Sequence, residues 1–178
     1  MQTNSTNMTN ETVMEEVSQI VVIGWPSYEF YLIHGTGLVF LAVSIIFSCG
    51  VLAYMLRPGR TISFYSELIG ERLVVYLAIC DLLYSVSHSM DHVAMTILKE
   101  HPPEIVCTIF GAILNEFAMA QSLMITYVAA NAFSMVVMER KINTGVYDWR
   151  LLVAVFGIPA AGVVVIGSFG FYGPSGAW

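Results

Sequence analysis

The chain has 178 residues, of which 57% are apolar and 11% charged, and its mean hydropathy is +0.72. A water-soluble domain of this length has too little interior to hide so much apolar surface, so lipid has to cover the remainder. The formal charge of −6 argues against a nucleic-acid partner, and the acids and bases are segregated along the chain, so their placement carries more information than their sum.

Residues 1–30 read as a polar, extracellular tail. Asn4-Ser5-Thr6, Asn7-Met8-Thr9 and Asn10-Glu11-Thr12 are tandem glycosylation sequons, which make sense only on a translocated, solvated segment. No basic region precedes the first apolar stretch, and that stretch is longer than a signal-peptide core, so it is expected to act as its own signal anchor. Trp25, Tyr28, Phe30 and Tyr31 suit an interfacial aromatic belt.

Four apolar runs are long enough to cross hydrocarbon as helices, since about 20 residues at ~1.5 Å each span ~30 Å. They occupy about 31–55, 73–98, 105–138 and 149–171. The first contains no ionisable side chain but His34 and stops at Arg57-Pro58-Gly59-Arg60. The second follows Glu71-Arg72 and ends at Lys99-Glu100-His101-Pro102-Pro103; the third closes on Glu139-Arg140-Lys141 and is longer than a bilayer is thick, which implies tilt or a protruding end. The fourth begins near Trp149-Arg150, is expected to kink at Pro159, and fades into Tyr172-Gly173-Pro174. Arg57, Arg60, Arg72, Arg140, Lys141 and Arg150 then share one side, with Lys99 alone on the other, so the positive-inside rule puts both chain ends outside the cytoplasm. The fold class expected is an all-α transmembrane bundle.

An ionisable side chain within a span is costly unless it is paired or hydrated, so its position marks an inward face. At about 100° per residue, Asp81, Ser85, His88 and His92 fall within about 60° of arc on the second span, with Asp91 beside them. This stripe reads either as a functional polar core, binding an ion or lining a ligand cavity, or as hydrogen-bond glue between helices. The spacing of His88, Asp91 and His92 is compatible with a metal, but without a cysteine or further histidine nearby no metal is expected. The third span carries Asn115, Glu116, Gln121 and Asn131; Glu116 should face protein or water, and it is placed to meet His88 or His92. There is no P-loop, nucleophile elbow, HExxH or CxxC, so neither an enzyme nor a cofactor is expected.

Leu77-Ala78-Ile79-Cys80-Asp81-Leu82-Leu83, Cys107 at the start of the third span and Glu139-Arg140 at its end together resemble the first four spans of a seven-transmembrane G-protein-coupled receptor. Gly157-Ile158-Pro159, the short basic loop and the terminal Gly176-Ala177-Trp178 are most similar to the slime-mould cAMP-receptor-like group, the likeness running from about 38 to 178. The departures are Cys49-Gly50-Val51 in the first span and the distance of Glu139-Arg140 from Cys107, which put a rhodopsin-style sodium site at Asp81 and an ionic lock at Arg140 in doubt.

The resemblance implies a plasma-membrane receptor with an extracellular ligand and a heterotrimeric G protein as partners. Three further spans would follow this chain, and the disulfide mate of Cys107 would lie beyond it. In this reading Asp81 belongs to the switch core; His88, Asp91, His92 and Glu116 line the ligand cavity; Arg140 and Lys141 face the G protein; and Asn4, Asn7 and Asn10 carry glycans. The alternative is a four-helix channel, transporter subunit or tetraspan scaffold, with the same stripe facing a pathway or a partner.

Overall fold

The computed structural model describes residues 27–57, 68–98, 103–140 and 142–172. Asn4, Asn7, Asn10, Lys141 and the terminal Gly176-Ala177-Trp178 lie outside the described residues, as do Arg60 and Lys99. Three long helices, α1 (Tyr28–Met55), α2 (Ile69–Leu98) and α3 (Glu104–Val136), are followed by a composite fourth span. That span is a 3-10 turn (Val146–Asp148), α4 (Trp149–Leu152), a π turn (Val153–Gly157) and α5 (Ile158–Ser168). All four spans are long and apolar enough to cross a membrane.

The helices outrun the apolar runs that announce them. α1 begins at Tyr28 and α2 at Ile69, ahead of the runs at 31 and 73, because hydropathy marks only the hydrocarbon-crossing part while interfacial turns stay helical. The 33 residues of α3 extend ~50 Å against ~30 Å of hydrocarbon, so it is tilted or protrudes. Pro159 does not end the fourth span. Its missing N–H is accommodated by the π turn just before it, where the hydrogen-bond register slips by one residue, and the helix resumes through Ser168.

Large apolar side chains cover the outside: Phe40, Ile46 and Phe47 of α1 are 75%, 68% and 70% exposed, the pattern of a surface solvated by lipid tails. The interior is small. α2 packs between α1 and α3, and the fourth span packs on α3. Leu73, Tyr76 and Cys80 of α2 meet Ala120 and Met124 of α3, and Leu151 and Val155 of the fourth span complete this cluster. A second contact, Phe30 with Met95, closes the α1–α2 seam near the opposite end of the bundle. Here the end at which α1 begins and α2 finishes is called the upper end.

At the lower end the connection from α3 to α4 is tightly wound. Arg140 N–H bonds the Ser134 carbonyl at 3.0 Å, Gly145 N–H bonds Asn143 Oδ1 at 2.9 Å, and Arg150 N–H bonds the Thr144 carbonyl at 3.1 Å. Glu139, Tyr147 and Asp148 have left-handed backbones with φ of 52°, 56° and 56°, conformations that cost an L-residue ~1–2 kcal/mol each. Gly145, at φ 82°, has a further reason to be glycine, since a Cβ there would lie 2.7 Å from Trp149 Nε1. Gly145→Ala is therefore expected to destabilise the protein by about 1–3 kcal/mol and lower its unfolding midpoint in detergent by several degrees. A midpoint unchanged from wild type in a thermal melt would remove the constraint from this turn.

Candidate functional site

Two members of the polar stripe read from the sequence, Asp81 and His92, bond to α1, at separate levels. At mid-span, Asp81 Oδ2 accepts hydrogen bonds from Ser44 Oγ at 2.6 Å and from Ser48 Oγ, while Oδ1 accepts from Gln121 Nε2 at 3.0 Å. One carboxylate thus joins α1, α2 and α3. Ser44 and Ser48 are four residues apart, so both hydroxyls project from the same side of α1 and reach one acceptor. Ser85, one turn further up the stripe, is fully buried.

At the upper end, His34 of α1 and His92 of α2 share a hydrogen bond between their Nδ1 atoms at 2.7 Å. His88 stacks on His92 with ring centroids 4.6 Å apart and planes 23° from parallel, and its own Nδ1 is 3.1 Å from the Tyr84 hydroxyl. Phe30 covers His34 at 4.3 Å, and Gly37 makes room for His92, since a Cβ at that position would lie 3.1 Å from His92 Nε2. Asp91 lies within electrostatic reach of His34 and His88. The third histidine that the sequence alone did not supply is therefore His34, brought across from another helix. Even so, among the described residues no group of three or more His, Cys, Asp or Glu side chains has a metal-holding arrangement.

Glu116 departs from expectation. Among the described residues it forms no hydrogen bond or ion pair with His88 or His92, whose Nδ1 atoms face Tyr84 and His34 respectively. Glu116 Oε2 is buried without a hydrogen-bond partner among the described residues. Its neighbour Asn115 is engaged, donating from Nδ2 to the Tyr172 hydroxyl at 2.9 Å, while Thr108 Oγ1 donates to the Tyr172 carbonyl at 3.2 Å. Tyr172 thereby ties the end of the fourth span to the start of α3, its ring resting against Gly111.

The lower end holds a cluster that no motif or periodicity announces. Arg72 of α2 grips Asp148 with both arms of its guanidinium, Nε to Oδ2 at 2.8 Å and Nη2 to Oδ1 at 3.2 Å, and the Tyr76 hydroxyl donates to Oδ2 at 3.1 Å. Asp148 is 1% exposed. The buried Tyr127 hydroxyl has no hydrogen-bond partner among the described residues. Arg140 and Glu139 are exposed at this end, and Arg57 and Arg150 lie over the rings of Tyr54 and Trp149 at 5.0 Å and 5.6 Å. Cys49, Cys80 and Cys107 form no disulfide with one another.

Fold and site together define a multi-pass, all-helical membrane protein whose polar interior is organised along its second helix. No family model matches the sequence, and neither a curated protein nor a solved structure matches it.

Removing one partner of a buried ion pair strands the other, which costs about 3–5 kcal/mol. Arg72→Met is accordingly expected to lower the thermal stability of the protein in detergent by that amount, and combining it with Asp148→Asn to recover part of the loss. If Arg72→Met melts like wild type, the pair is not holding the loop.

Proposed function

We propose that this chain is the four-span portion of a G-protein-coupled receptor that senses an extracellular ligand and signals across the plasma membrane to a heterotrimeric G protein. The observation that supports this reading best is the Asp81 hub. A mid-span carboxylate held by two hydroxyls and an amide on two other helices is bonded to neutral donors that re-pair at low cost, which suits an element with two arrangements. The upper halves of α2 and α3 carry His88, Asp91, His92 and Glu116, the proposed ligand-facing groups. The exposed Arg140, with Lys141 after it in the sequence, is the proposed G-protein face.

A channel reading needs a continuous polar lining. Between the Asp148 cluster and the Asp81 hub the interior is filled by Tyr76, Cys80, Ala120, Met124 and Val155, which favours a packed signalling bundle over an aqueous path through a single copy.

Guanine-nucleotide exchange on individual Gα subunits, measured in membranes expressing the protein, tests the proposal. Exchange above mock membranes is expected for at least one Gα class, and Asp81→Asn is expected to change it by about fivefold at equal surface level. Surface-expressed protein that stimulates no Gα, or cation flux through reconstituted liposomes instead, would overturn the reading. Orientation has its own check: peptide N-glycosidase should reduce the apparent mass, and the triple change Asn4→Gln, Asn7→Gln, Asn10→Gln should abolish that reduction. Protein from a mammalian membrane that migrates identically with and without the enzyme would count against an outward tail.

A further inference from the structure

The upper histidine cluster has a property that follows from proton counting. At 2.7 Å, the two Nδ1 atoms of His34 and His92 require one proton between them: one ring donates Nδ1–H and the other presents a lone pair. A neutral pair meets this condition, because one ring carries its proton on Nδ1 and the other on Nε2. A singly charged pair meets it too, the charged ring donating. A doubly charged pair cannot, since both Nδ1 atoms then carry hydrogen and point at each other. The α1–α2 link at this end therefore exists for zero or one added proton and is lost at two.

The surroundings bear on this threshold. His88 stacks on His92 at 4.6 Å, so a charge on one ring is felt on the other. The ionisable groups around the pair are His88, Asp91 and Tyr84 of α2, with Cys107 of α3 in electrostatic reach of Asp91. α1 contributes His34 itself, flanked by the ring of Phe30. Position matters as well. His34 lies six residues into α1, ~9 Å from its first residue, and the helix as a whole is ~42 Å long against ~30 Å of hydrocarbon, so the cluster sits near the headgroup boundary, where protons from the aqueous phase arrive.

We infer that His34, His88 and His92 form a proton-binding site on the outer side of the bundle, which clasps α1 to α2 at neutral pH and releases them on acidification. The proton is then the ligand, or one ligand, of the receptor proposed above. The signalling half of this inference rests on that proposal, whereas the clasp rests on the geometry alone. As pH falls the pair takes up its protons in separate steps, and only the second breaks the Nδ1–Nδ1 bond.

The test uses the full chain in lipid nanodiscs, with spin labels introduced through non-canonical amino acids at the exposed positions Ile33 and Ile97. Electron–electron distance measurements at pH 7.5 and pH 3.5 are expected to report a widening of about 2 Å or more on acidification. His34→Asn keeps a hydrogen-bonding side chain that does not titrate and is expected to abolish the change. Histidine-selective 15N NMR of the unsubstituted chain supplies a readout independent of variant folding: the Nδ1–H···Nδ1 signature should be present at pH 7.5 and lost at pH 3.5. A distance unaltered by pH, a change that persists in His34→Asn, or a hydrogen bond that survives at pH 3.5 would each overturn the inference. Nucleotide exchange run in parallel separates the two claims. A pH-dependent distance without any G-protein response leaves the proton site standing and sinks the receptor; a G-protein response with a fixed distance does the reverse.

Discussion

Hydrocarbon offers a carboxylate nothing to bond to, so a mid-span aspartate has to be satisfied by the helices around it, and this requirement organises the whole bundle. Asp81 receives Ser44 and Ser48 from one side and Gln121 from the other, which fixes the facing surfaces of α1, α2 and α3 at a single level. The pair of serines has a further consequence. Because they stand one turn apart, a slide of α1 by one turn, ~5.4 Å, still leaves one hydroxyl at the carboxylate. At this level the two neighbouring registers differ by a single serine hydroxyl, so the His34–His92 pair above is what selects between them.

The remaining polar links divide the bundle unevenly. α1 is joined to α2 twice, through the serines at mid-span and through the histidines above. The fourth span is held to α2 below by Asp148 and to α3 above by Tyr172. Between α2 and α3 the Gln121 amide provides a polar link at mid-span, beside the apolar packing of Leu73, Tyr76, Cys80, Ala120 and Met124. Lipid tails are as apolar as those side chains, so such packing contributes close-range dispersion rather than a hydrophobic drive and resists sliding less than it would in water.

Much of this architecture was legible in the sequence, and what was not has identifiable causes. The four spans were readable because unbroken apolar length is itself the physical requirement, and the stripe of Asp81, Ser85, His88 and His92 because helical periodicity is fixed. The partners were hidden. Thr36, Thr126 and Ser122 return their hydroxyls to their own helix backbone, whereas Ser44 and Ser48 reach across to α2, and nothing local in the sequence separates the two behaviours. His34 looked isolated because it is the lone ionisable group of its span, 58 residues from the ring it bonds. Glu116 was assigned to the histidines on depth alone, and depth along two antiparallel helices does not say which face each residue occupies. Arg72 and Asp148 are 76 residues apart; Arg72 was read as an ordinary flanking charge, and Asp148 drew no reading at all.

That last pair shows what a buried ion pair does in this fold. On energetic grounds alone, well-packed apolar residues in its place would serve about as well, because desolvating both charges offsets most of their attraction. Its distinctive effect is directional. The bidentate fork of Arg72 and the Tyr76 hydroxyl fix the carboxylate at three points, so Asp148 and, through it, the left-handed Tyr147 before it are held in backbone conformations they would otherwise leave. The turn so wound begins at Gly145 and delivers Trp149 and Arg150 into the first turn of α4. The lower surface is thus set from within α2, by the same helix that carries the Asp81 hub one polar level up and the histidine clasp at the far end. Displacement of α2 along its axis or about it would reach all three levels together, which makes it the element able to couple the upper end of the bundle to the lower.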